Sequence, residues 1–237
     1  MDAVSGGDAK KILQQSAEAH GDLYQSVAEV KVGYDGDWTK FAKRVQPTLV
    51  DAAYRKASTE RYLTETDEII QEHWGSSGVK LVRRDGISVK VTYDGVVSTD
   101  GEVNDAAALV ADAYKLFLFG SSYLSAKGVE LEYVGMREEN AAAFRLVQGA
   151  LIPGLGFSER DEFIAWIAVD GGLLHRIQFT LNGLASTRGA DVSVEFSEFT
   201  DRSGFVMPRV FVEHVERPIR AQAHHWEMTD FQMIRRR

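Results

Sequence analysis

The feature that most restricts this chain is a repeated two-residue alternation of apolar and polar side chains. Val30, Val32 and Tyr34 alternate with Glu29 and Lys31, and Val89, Val91 and Tyr93 with Ser88, Lys90 and Thr92. Val129, Leu131 and Tyr133 alternate with glutamates. The pattern returns in Leu173, His175, Ile177, Phe179 and Leu181, and again in Val192, Val194 and Phe196. A period of two puts such residues on one face of a pleated sheet, and antiparallel sheets commonly bury one face and wet the other. Asp35-Gly36, Asp85-Gly86, Asp170-Gly171-Gly172 and Asn182-Gly183 supply strand ends and turns.

Further strands are expected over 53–63, from Ile69 to Trp74, over 79–84, through Phe144 and Leu146, from Phe163 to Val169, over 205–215 and over 223–234. That makes roughly ten strands, near the size at which an open sheet curls. Curling gathers the apolar side chains on the concave face. The expected class is α+β: a large curved antiparallel sheet forming an unclosed half-barrel, with helices packed on or lidding its concave face. No linker or composition break interrupts it, so one domain over 1–237 is expected.

Two helices stand out. Ser5 or Asp8 can cap the first, Ile12, Leu13 and Ala17 form its stripe, and Gly21 can end it. The second is expected over 104–119, with Asn104 as N-cap and Gly120 as stop. Its last turn, Leu116-Phe117-Leu118-Phe119, is apolar all round, whereas a helix lying on a core keeps one wet face. Residues 37–50 place Trp38, Phe41, Val45 and Leu49 at helical spacing, but Pro47 interrupts them, so a loop with a short helical turn is expected.

A helix is about 10 Å across and strands lie about 4.8 Å apart, so each helix shields about two strands. Two helices leave several strands of inner face uncovered. Either the sheet closes on a packed core or it leaves a hydrophobic cavity. In the cavity reading the walls are Val30, Val32, Tyr34, Val89, Val91, Tyr93, Leu131, Tyr133, Ile177, Phe179, Val194 and Phe196. Tyr114, Phe117 and Phe119 of the second helix and Leu151, Leu155 and Phe157 of a Gly/Pro-rich segment are the expected lid. Trp166, Trp226 and Met228 read as core or as cavity lining. A sixteen-carbon chain in such a cavity gains on the order of 12 kcal/mol before binding costs.

Composition removes other classes. A net charge of −8 argues against nucleic acid, whose phosphates need clustered Lys and Arg, and the one dense basic run is Arg235-Arg236-Arg237. The absence of cysteine excludes disulfides, thiolate metal sites and thiol nucleophiles. No apolar stretch approaches the ~20 residues of a membrane-spanning helix. His224 and His225 are adjacent and face opposite ways in a strand, no H-E-x-x-H spacing occurs, and no G-x-S-x-G surrounds a serine. Neither enzymatic chemistry nor a metal or cofactor is expected. The start, Met1-Asp2-Ala3-Val4 before Ser-Gly-Gly, reads as a mature chain lacking its signal segment.

A helix ending in Ala-His-Gly, a strand array, a mid-chain helix, "VDGGLLHRIQF" from Val169 and "GFVMPR" from Gly204 follow in order. In that order the chain resembles the LolA-like superfamily of periplasmic lipoprotein carriers and their lipid-binding envelope relatives. The resemblance implies a half-barrel with a helical lid, a cavity for a lipid or lipoprotein acyl chain, and a place in the periplasm or cell envelope. It also implies an inward basic residue that locks the lid, for which Arg55, Arg61 and Arg176 all remain open. The alternative is an envelope scaffold of the same fold, with a packed core and a protein partner at the sheet edges.

Overall fold

The computed structural model describes residues 6–217 and 220–236. The Met1–Val4 leader, the capping role expected of Ser5, and Arg237 lie outside them. Helix α1 (Gly6–Ala19) and the single turn α2 (Leu23–Ser26) lead into β1 (Val27–Trp38). Two short helices, α3 (Lys40–Val45) and α4 (Pro47–Val50), precede β2 (Ala57–Leu63), β3 (Glu68–Gly75), β4 (Gly78–Arg84), β5 (Val89–Tyr93) and β6 (Val96–Val97). Helix α5 (Gly101–Lys127) connects to β7 (Gly128–Glu139), β8 (Ala142–Leu151), β9 (Asp161–Ala168) and β10 (Leu174–Thr180). A 3-10 turn at Ala185–Thr187 leads to β11 (Asp191–Ser197), β12 (Thr200–Arg202), β13 (Phe205–Met207), β14 (Val210–Val215) and β15 (Ala221–Arg235).

Thirteen strands form one antiparallel sheet in the order β6-β5-β4-β3-β2-β1-β15-β14-β11-β10-β9-β8-β7, and β12 and β13 form a separate ribbon. The first and last strands, β1 and β15, pair in the middle, while the two edges are consecutive in the chain and joined by α5. That connection forces curvature. Thirteen strands about 4.8 Å apart make an arc of roughly 58 Å. A helix of this length spans about 40 Å. The sheet therefore bends round α5 and stays open, because β6 and β7 do not pair with each other.

Helix α5 is the plug of that half-barrel. Asp100 caps it, accepting from the Glu102 and Val103 amides, so Asn104 lies inside the helix and not at its start. Gly120 interrupts it with φ 48° and ψ −125°, a conformation open to glycine, yet the chain resumes helix to Lys127 instead of stopping. From Ala106 to Ser122 every residue is buried. The all-apolar turn Leu116–Phe119 is explained by cover on every side. The sheet lies beneath it, with α1 and α2 packed on the helix's other faces. No helix among the described residues is long and apolar enough to cross a membrane.

Three expected boundaries shift for local reasons. β1 runs on through Asp35-Gly36 to Trp38, because Gly36 sits where a Cβ would press to 2.5 Å from Trp226 Cβ of the paired strand; this glycine serves close approach, not a turn. The expected strand over 205–215 is broken at Pro208, which lacks the N–H a ladder needs, and β13 folds back on β12. A bulge between Leu174 and Arg176 puts Leu174 in the core and His175 outside it, against Phe144 and Phe199.

Candidate functional site

The concave face has two halves of different chemistry. On the β9–β11 and β14–β15 side it is apolar, carrying Phe163, Ala165, Ile177, Phe179, Val194, Phe196, Phe211, Trp226 and Met228. On the β2–β4 side cross-strand rows point polar groups inward. One row is Tyr34–Ser58–His73–Lys80–Tyr93 and the next is Val32–Glu60–Gln71–Val82–Val91. The inner face is therefore not apolar throughout, although the alternating strands carry mainly apolar residues on it. Each inward charge on this side finds a partner, on its own strand or from another element. Glu60 accepts from Ser58, Tyr62 and Gln71, Lys80 Nζ lies 2.7 Å from Asp51, and Arg84 Nη2 lies 3.0 Å from Asp112 of α5.

The residues expected to wall a cavity are mostly core. Val30, Val32, Tyr34, Tyr114, Phe117, Phe119, Leu151, Leu155, Ile177, Phe179, Val194, Phe196, Trp226 and Met228 belong to one packed cluster, and Leu131 and Tyr133 pack against it. Val91 is buried with Val82 and Ala107, flanked by Val89 and Tyr93. Phe157 is exposed under the Arg84 guanidinium. Trp166 faces away from the concave core, donating to Gln178 and lying beneath Arg176. The void touching Phe117, Phe119 and Phe196 measures about 20 Å³, room for a water and not a hydrocarbon chain.

The apolar opening lies elsewhere, at the end of the half-barrel beneath α3 and α4. A groove of about 470 Å³ is lined on one side by Trp38, Phe41, Ala42, Val45, Leu49 and Val50. Its other wall is Leu181, Val192, Glu213, Val215, Ala221 and Ala223, with Arg217 at one margin. Pro47 begins α4 at a helix position that needs no N–H, so it separates two helices instead of preventing them. Thr39 fixes the clasp by accepting from the Ala42 amide and donating to the Gln222 carbonyl. Gln46 and Ser186 bond each other across the groove, tying the clasp to the 3-10 turn. Phe41 and Val45 remain exposed. The helical spacing at Trp38, Phe41, Val45 and Leu49 was the available signal for this wall.

Behind the clasp lies a buried column of rings. Trp38 stacks on His224 at 3.8 Å, His224 on Trp226 at 4.5 Å, and Trp226 on Phe211 at 5.2 Å. Arg55 covers Trp38 at 5.0 Å and donates from Nη1 to the Leu49 carbonyl at 2.7 Å, where α4 ends. Of the three arginines, Arg55 is the inward one. Arg61 pairs with Glu29, and Arg176 with Glu139 and Glu195 on the outer side. Burial holds His73 and His224 well below the usual imidazole range, so both are neutral. Among the described residues, no three His, Asp or Glu side chains gather to hold a metal ion.

Glu213 is half-buried in the groove wall, and desolvation there pushes it from 4.5 up to about 7 against the pull of Arg55. The unfolded chain gives up this proton first as pH rises. The fold therefore loses stability between 4.5 and about 7 and keeps the lower level above that. Glu213→Gln cannot ionise. It is expected to melt at least about 2–4 °C above wild type near pH 8 and at the wild-type temperature near pH 4. Equal melting at the higher pH contradicts this placement of the carboxyl.

An open antiparallel half-barrel wrapped round one long helix defines the LolA-like fold, and this chain has it. It is similar to the crystal structure of a LolA superfamily protein from Nitrosomonas europaea, with a TM-score of 0.58 at 11% identity over 97% of this chain and 94% of that one. It is similar also to a DUF1329 family protein from Desulfovibrio piger, with a TM-score of 0.53 at 10% identity over 95% and 92% of the two chains. At these identities the likeness shows the fold. No protein-family model matches the chain, and no curated protein does.

Proposed function

We propose that the protein is a non-enzymatic carrier or receptor of the cell envelope that shields the acyl chain of a lipid or lipoprotein. The observation that carries this reading is the groove beneath α3 and α4. Its volume of about 470 Å³ falls within the range of ligand pockets. Its lining is almost wholly apolar, and the exposed Phe41 and Val45 lie along it. Each methylene placed there contributes about 0.8 kcal/mol, so affinity needs no charged contact. The Arg55 bond to the Leu49 carbonyl gives the clasp a fixed resting position, consistent with the lid lock that the resemblance implies.

Val45→Asp tests the reading. Val45 is 52% exposed, so its replacement leaves thermal stability nearly unchanged, within about 0.5 kcal/mol. Affinity for a neutral fluorescent acyl ester is expected to fall about tenfold or more, because a carboxylate cannot be covered by a hydrocarbon chain without cost. The scaffold reading has one observation in its favour, the filled centre of the concave face. It predicts no saturable binding of the ester by wild type, and that result removes the carrier reading.

A further inference from the structure

One side chain of the groove is not explained by an aliphatic ligand alone. Among the described residues, the other polar side chains of the lining have partners except Trp38, whose buried Nε1 donates to nothing. Gln46 and Ser186 satisfy each other, Thr187 donates to the Leu181 carbonyl, and Arg217, with its side chain 82% exposed, pairs with Asp191 at 2.9 Å. Glu213 makes no hydrogen bond or ion pair among the described residues, although it is half-buried in the groove wall, where its register neighbours are Val194 and His224. A carboxylate held in an apolar wall is costly unless something supplies donors and opposite charge. Arg55 supplies a pull of opposite charge but no direct bond to Glu213, since its Nη1 donates to the Leu49 carbonyl and its guanidinium lies over Trp38 and Tyr114.

We propose that the groove selects an amine-bearing amphiphile, whose ammonium group meets the Glu213 carboxylate while its hydrocarbon chain lies along Phe41, Val45 and Leu49. This rests on the lipid-binding reading and narrows it by head group. A primary ammonium brings three donors and a positive charge that can bond the carboxylate directly. A free fatty acid brings a second carboxylate to the first and is disfavoured by like-charge repulsion. A neutral head gains the chain burial alone.

The test is displacement of the neutral probe Nile red by decylamine, decanol and decanoate, all below their micelle concentrations. At about pH 8, decylamine is expected to bind wild type roughly tenfold or more tighter than decanol, the strength of a hydrogen bond to a charged group. Decanoate is expected to bind weakest. Glu213→Gln should erase the amine's advantage and leave decanol within about twofold, since only the charge is removed. Near pH 5.5 the wild-type advantage should shrink as Glu213 takes up a proton. The facing groups do not change over that interval: arginine stays charged, His224 is neutral, and Tyr114 is held protonated. Equal displacement by amine and carboxylate, or an amine preference that survives in Glu213→Gln, overturns the proposal while leaving a lipid groove. If none of the three amphiphiles displaces the probe, the lipid-binding reading falls and the head-group proposal with it.

Discussion

Phe117→Ala is expected to lower the unfolding free energy by roughly 3–5 kcal/mol while leaving acyl binding by the folded protein unchanged. Phe117 is 5% exposed, and its ring lies 5.4 Å from Phe179, 5.9 Å from Trp226, 6.0 Å from Tyr114 and 6.5 Å from Phe196. Those neighbours come from β10, β11 and β15 as well as from α5 itself, so the ring joins the plug to the apolar half of the sheet. Deleting it leaves a hole lined by rigid rings that cannot collapse inward. Domains have about 5–15 kcal/mol to lose, and the introduced charge of Phe117→Asp is expected to prevent folding. The measurement is the urea midpoint at unchanged slope. A lid residue would show the reverse, with binding lost and the midpoint kept.

Asp112→Ala is expected to cost a similar amount, about 3–5 kcal/mol, because it leaves a buried cation without its counter-charge. Arg84 has a side chain only 3% exposed, and its Nη2 donates both to Asp112 Oδ2 at 3.0 Å and to the Gly156 carbonyl at 2.8 Å. The same carboxylate oxygen accepts from the Gly156 amide at 2.9 Å. One side chain of α5 thus fastens the segment after β8 to the β4 side of the sheet. Loss of Asp112 should also speed amide exchange at Gly156 well before global unfolding. Replacing both partners, Arg84→Met with Asp112→Leu, should recover much of the loss, since it removes the charge together with its mate. A single-variant cost below about 1 kcal/mol contradicts the account of this network.

How far the sequence predicts this molecule follows from where the signal lies along the chain. Strands such as β1, β5 and β11 alternate cleanly because their inner residues are aliphatic or aromatic and their outer ones charged. The α+β half-barrel was legible from them. β2 was expected as part of a strand over 53–63, but which of its faces points inward was not legible, since Ser58, Thr59, Glu60 and Arg61 are polar on both faces and carry no phase. What makes Glu60, Lys80 and Arg84 tolerable inside is supplied by Gln71, Asp51 and Asp112, which sit in other elements. The apolar turn of α5 was visible, but helix cover and ligand cover leave the same trace in a sequence. Packing distinguished them. The groove was half legible, for its helical wall has regular spacing at Trp38, Phe41, Val45 and Leu49. Its other wall, Leu181, Val192 and Ala223, comes from far along the chain, and no local pattern joins the two.

A photo-crosslinking measurement tests the central claim most directly. A neutral acyl chain bearing a terminal diazirine, bound and irradiated, is expected to label peptides containing Phe41, Val45 and Leu49, together with those containing Val192 and Ala223. Labels concentrated on Phe117, Phe119 and Leu155 instead would mean that α5 lifts to admit the chain, and the account of a plugged half-barrel with its ligand groove at one end would be wrong.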